Sequence, residues 1–80
     1  MPPLSELPGD LSREKFLNAL RRVGFIVDMR GGNGSHCKVE WKNGKEFPVK
    51  KDINKYVLKY LLKEIEEATG VTWERIKEEL

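Results

Sequence analysis

The stretch that decides the fold is GSHCKVEWKNGKEFPVK, residues 34–50. Asn43-Gly44 is a strong hairpin signal, because both residues tolerate the positive φ that a tight two-residue turn requires. Strands are expected on either side of it, at 35–41 and 45–49. Side chains alternate between the faces of a strand. In the first strand Cys37, Val39 and Trp41 then share an apolar face, while His36, Lys38 and Glu40 share a polar one. In the second, Phe47 and Val49 lie on one face and Glu46 and Lys50 on the other. Both strands agree: one side of the sheet is packed and the other meets water. Pro48 lacks a backbone donor and marks an edge strand or an exit.

Working outward, Phe25-Ile-Val-Asp-Met29 is short and β-branched, and reads as a strand preceding the glycine-rich turn Gly31-Gly-Asn-Gly34. Before it, Phe16, Leu17, Leu20 and Val23 recur at helical spacing, with Ser12 as N-cap and Gly24 as the stop, predicting a helix over 12–23. After the hairpin, Ile53, Val57, Leu58, Leu61, Leu62 and Ile65 form the buried stripe of a longer helix, for which Asp52 is the expected cap and Gly70 the end. Thr72 caps a short last helix with Trp73, Ile76 and Leu80 as its apolar positions. Trp41 and Trp73 are expected to pack, Trp73 against the second helix rather than against a base. The predicted class is α+β, in the order α-β-β-β-α with a short extra C-terminal helix and the helices on one face of an antiparallel sheet. Residues 1–11, with Pro2, Pro3, Pro8 and Gly9, are expected as a flexible arm, and 12–80 as a single domain.

Eighty residues bury a modest core, so a partner protein is a natural source of additional stability. Cys37 has no second cysteine to pair with, which suits a reducing cytoplasm. One cysteine and one histidine cannot furnish four zinc ligands, and no cluster of Asp and Glu suits magnesium, so neither metal nor cofactor is expected. No apolar run has the length of a membrane span, and MPPLSELPGD lacks the basic and apolar regions of a secretory signal; a cytoplasmic location is expected. The net charge of +2 is unevenly spread: residues 64–80 hold six glutamates, and the remainder carries 13 basic against 7 acidic residues. A basic body with an acidic tail can bind a polyanion on one side.

The candidate site gathers around His36. Strand alternation puts it on the wet face, opposite in direction to Cys37, so the two do not form a dyad or a chelating pair. Cys37 then reads as a small buried hydrophobe. Arg30, Lys38, Lys42, Lys45, Lys50 and Lys51 all fall in the sheet region or its turns. The amides of Gly31, Gly32 and Gly34 can hold a phosphate oxygen, although the run lacks the ending of a Walker motif. Ser35 suits either a phosphate contact or turn capping. An exposed histidine, with an ordinary pKa of ~6.5, is fitted to general acid–base work near neutral pH. RNA carries its own nucleophile in the 2′-hydroxyl, so such chemistry needs no metal.

The order of these features carries a resemblance. A helix ending in Arg22-Val-Gly-Phe25, then Gly34-Ser-His36, then a hairpin into Phe47-Pro-Val49, then a long helix, resembles the HicA-type mRNA interferase toxins of HicA–HicB toxin–antitoxin pairs, across about residues 12–75. The resemblance implies a fold like the double-stranded-RNA-binding domain. It also implies metal-independent endoribonuclease activity on mRNA, with the histidine of Gly-Ser-His, here His36, as the catalytic residue. A HicB-like antitoxin would cover the active face. Gly34, Ser35, Lys38, Arg30, Lys50 and Lys51 are then the residues expected to hold RNA phosphate. Where many family members read Val-Pro-x-His, this chain reads Phe47-Pro-Val-Lys50, so the second family histidine is replaced by lysine. Two other functions fit the same surface: a non-catalytic RNA-binding module and a protein-interaction domain.

Overall fold

A computed structural model describes residues 4–9, 11–31, 36–50 and 53–80, with the backbone alone for residues 29–31 and 36. A single 3-10 turn at Leu4–Glu6 precedes α1 (Arg13–Val23). Three strands follow: β1 (Ile26–Gly31), β2 (His36–Glu40) and β3 (Glu46–Lys50). The chain ends in α2 (Lys55–Thr69) and α3 (Trp73–Lys77). The architecture is the expected α+β, with one antiparallel sheet in the order β1-β2-β3.

Local chemistry sets the helix boundaries. The Ser12 hydroxyl accepts from the Lys15 amide at 3.2 Å, satisfying one of the donors a helix start leaves open. Gly24, at φ 129°, ends α1 by donating its amide to the Leu20 and Arg21 carbonyls. A Cβ there would be strained by that φ and would also meet the Trp41 ring at 3.6 Å. The cap of α2 is Asn54, whose side chain accepts from the Val57 amide at 2.9 Å. The expected cap, Asp52, lies outside the described residues. Asn54 sits immediately before the first helical residue, the place from which a side chain reaches the N3 amide. Thr72 caps α3 as predicted, and Gly70 ends α2 in the left-handed conformation.

The hairpin differs from expectation by one residue. Gly44 N–H donates to Trp41 C=O at 2.8 Å, and Trp41 N–H donates to Lys45 C=O at 2.9 Å. The loop is therefore Lys42-Asn43-Gly44, a three-residue connection with glycine (φ 87°) at the left-handed position. Asn43 Oδ1 accepts from the Lys45 amide at 2.9 Å and stabilises this turn. Its consequence is that β3 starts at Glu46 and includes Lys50.

One face of the sheet is covered. Val27, Val39 and Phe47 form one cross-strand row of that face, and Cys37 and Val49 form the next. Phe16, Leu17, Ala19 and Leu20 of α1 and Leu58, Leu61, Leu62 and Ile65 of α2 complete the core. Phe16 and Phe47 are fully buried, and removing each from water contributes about 1.5–3 kcal/mol. Phe25 packs on Trp41 with ring centroids 4.6 Å apart and edge-on to Phe47 at 6.3 Å. Trp73 is buried, as packing predicts. α3 lies against α1, and the Arg22 guanidinium donates to the Glu79 carbonyl at 2.8 Å. Leu7 is also buried and Leu4 packs against the core, so part of the proline-containing lead-in belongs to the hydrophobic cluster. No helix of the described residues is long and apolar enough to cross a membrane.

Candidate functional site

The uncovered face of the sheet is organised by register. Directly opposed residues on adjacent antiparallel strands share a face. One row reads Ile26, Glu40, Glu46; the next reads Asp28, Lys38, Pro48; the last reads Gly31, His36, Lys50. The first row is acidic and the last holds His36 and lysine. Glu40 and His36 lie four positions apart on β2, about 13 Å along the strand. Between Asp28 and Gly31 β1 carries an irregularity: three residues advance on β1 against two on β2. Such a bulge bends and twists the strand next to the His36 row.

Lys38 does not stand free in this arrangement. Its ammonium donates to Glu46 Oε2 at 3.0 Å. That hydrogen bond and the charge of Glu46 hold the lysine pKa above its ordinary range, with smaller contributions from Asp28 and Glu40. Of the residues expected to hold phosphate, Lys38 is therefore already committed to a carboxylate within an acidic neighbourhood. Its partner is legible in principle, since β2 and β3 positions of matching parity share the wet face, but the pairing requires the correct loop length.

Cys37 lies on the covered face, as alternation requires. It is buried, and its thiol donates a long hydrogen bond to the Val49 carbonyl, 3.7 Å away. Burial pushes the thiol pKa up, and the positive charge of Arg13 opposes this in part. The strand therefore separates Cys37 from the position of His36.

Among the other expected site residues, Lys50 is exposed at the end of β3, directly opposite His36. Opposed positions of this kind are roughly 4.5–5.5 Å apart at Cα. Arg30 falls in β1 beside Gly31, the β1 residue paired with His36. Gly34, Ser35 and Lys51 lie outside the described residues. Among the described residues no three His, Cys, Asp or Glu side chains come together as metal ligands would.

A comparison with protein families matches one model, the HicA toxin of bacterial toxin–antitoxin systems, over residues 13–71. That span runs from the first residue of α1 to just beyond α2 and includes the whole sheet. Searches of curated proteins and of solved structures returned no match. With well over half of its length matched, and with the helix–sheet–helix order on which that match lies, the chain belongs to the HicA toxin family of bacterial toxin–antitoxin systems.

Proposed function

We propose that this chain is a metal-independent endoribonuclease acting on mRNA, with His36 as its general acid or base and Lys50 as its electrostatic partner. The observation that carries this reading is the register of β2 and β3, which sets Lys50 directly opposite His36. Lys50 is also the position at which many family members place a second histidine. A lysine there supplies a cation in place of a second imidazole. It can neutralise the charge that grows on the non-bridging phosphate oxygens in the transition state.

The chemistry follows from the substrate. The 2′-oxygen of RNA attacks the adjacent phosphorus, and the bond from phosphorus to the 5′-oxygen breaks. His36 takes the 2′-hydroxyl proton while water protonates the departing 5′-oxygen, or His36 protonates that oxygen while water takes the 2′-hydroxyl proton, and the phosphate is left as a 2′,3′-cyclic diester. The nucleophile belongs to the substrate, so no metal-bound water is called for. The amides and side chains around residues 30–35 and Lys51 hold neighbouring phosphates. A HicB-like antitoxin covers the uncovered sheet face and blocks the same row. The test is RNA cleavage in the presence of EDTA by the wild type and by His36→Ala, both freed of antitoxin. Cleavage by the wild type alone is expected; equal cleavage by both would remove His36 from the mechanism.

A further inference from the structure

Two tyrosines stand in water on the outer face of α2. Tyr56 is 65% exposed and Tyr60 69% exposed, although both belong to a helix whose opposite face supplies Leu58, Leu61, Leu62 and Ile65 to the core. Lys59 and Lys63 complete an i, i+3, i+4, i+7 stripe with them, and the four side chains line one shallow groove together with Leu4. The first turn of α2 contains no acidic residue, and its first carboxylate in sequence is Glu64. Unlike Lys38, neither lysine of the stripe is held by a carboxylate among the described residues.

We propose that this stripe is a contact surface for single-stranded RNA, distinct from the His36 row. The inference rests on the ribonuclease reading for the identity of the polyanion. Two residues four apart on a helix are offset by about 6 Å along its axis. That offset allows successive bases of an unstacked strand to lie on successive tyrosine rings, while the lysines between them meet phosphate. Aromatic faces accept any base, and lysines accept any phosphate, so the surface would hold RNA without reading its sequence. α2 packs on the covered face of the sheet through Leu58, Leu61, Leu62 and Ile65, so the stripe on its opposite side faces away from the His36 row and is a second, separate surface. Charge complementarity favours a polyanion here, because Lys59 and Lys63 are interleaved with the rings and α2 carries no carboxylate before Glu64; on the ribonuclease reading that polyanion is RNA.

The experiment measures binding of the full chain to a fluorescein-labelled, single-stranded 2′-O-methyl oligonucleotide of mixed sequence, which lacks the nucleophile and is not consumed. Replacing Tyr56 and Tyr60 together by Ala should weaken binding about tenfold or more, whereas replacing both by Phe should leave it near wild type. Replacing Lys59 and Lys63 by Gln should make the dependence of log K on log salt shallower by about 1.4. Tyr56, Tyr60 and Lys63 are exposed and Lys59 is half-buried, and circular dichroism checks that each variant keeps the fold. Binding by the Ala pair equal to that of wild type overturns the stripe while leaving the ribonuclease reading intact. Loss of binding to a co-expressed antitoxin with unchanged RNA affinity also overturns it, since the stripe would then be a protein-docking surface. A wild type that binds this oligonucleotide through the stripe but fails to cleave RNA supports the inference and defeats the ribonuclease reading instead.

Discussion

Lys38 and Glu46 meet diagonally across β2 and β3, with Nζ 3.0 Å from Oε2, on the sheet face that the helices leave uncovered. Both side chains are about half exposed, so solvent screens the pair and it contributes little to stability. On the proposed ribonuclease reading the pair bears on RNA binding, because it neutralises a lysine two positions from His36. Glu46→Gln should release Lys38 and strengthen RNA binding about two- to fivefold at low salt, with the urea midpoint close to that of wild type. The raised Lys38 pKa gives a second readout. The pair's small stabilisation is fully present below the ordinary value of 10.5 and is lost as pH rises through the higher folded-state value. An NMR titration of the lysine side chains should show Lys38 titrating above 10.5 in wild type and moving down in Glu46→Gln.

The opposition of His36 and Lys50 makes the second prediction. Lys50→Ala should reduce cleavage about ten- to a hundredfold with a smaller change in RNA affinity, and Lys50→Arg should retain most activity, because the proposed mechanism asks only for a cation at that position. Lys50→His should restore an imidazole pair. Its pH–rate profile should gain an additional ionisation near ~6.5. An unchanged profile in that variant would show that residue 50 takes no part in the proton transfers.

Cys37 offers a test of the covered face. Its buried thiol has a folded-state pKa above the ordinary 9.0. The unfolded thiol therefore ionises first as pH rises. Stability from this group is fully present below about pH 9 and falls as pH rises through the folded-state value. The urea midpoint of wild type should drop more than that of Cys37→Ala between about pH 8 and pH 10.5. The native thiol should also be alkylated by iodoacetamide far more slowly than the unfolded one. Cys37→Ala itself should cost about 1 kcal/mol.

Leu7 tests whether the lead-in belongs to the folded unit. It is 3% exposed and sits in the same cluster as Phe16 and Leu58. Leu7→Ala should destabilise by about 2–4 kcal/mol, as other buried leucines do. Ser5→Ala, at an exposed neighbouring position, should stay within about 0.5 kcal/mol. Both are measured by urea unfolding.

The sequence by itself determined the element order, the two faces of the sheet and the stretch that carries His36. These depend on near-neighbour physics. Alternation at period two separates Cys37 and Val39 from Lys38, and a 3.6-residue period selects Leu58, Leu61, Leu62 and Ile65 for burial. Capping by Ser12 and Thr72 is equally local, being a reach of three residues. Asn54 has the same chemistry, and Asp52 was the competing acceptor two residues earlier. Tertiary structure alone decided which residues stand opposite each other. One additional loop residue, Lys42, changes the hairpin connection and with it the alignment that pairs Lys38 with Glu46 and sets Lys50 against His36. It also decided that Leu7 is core, because burial is fixed by what arrives from distant parts of the chain, and a proline-containing lead-in carries no period to announce a docking leucine.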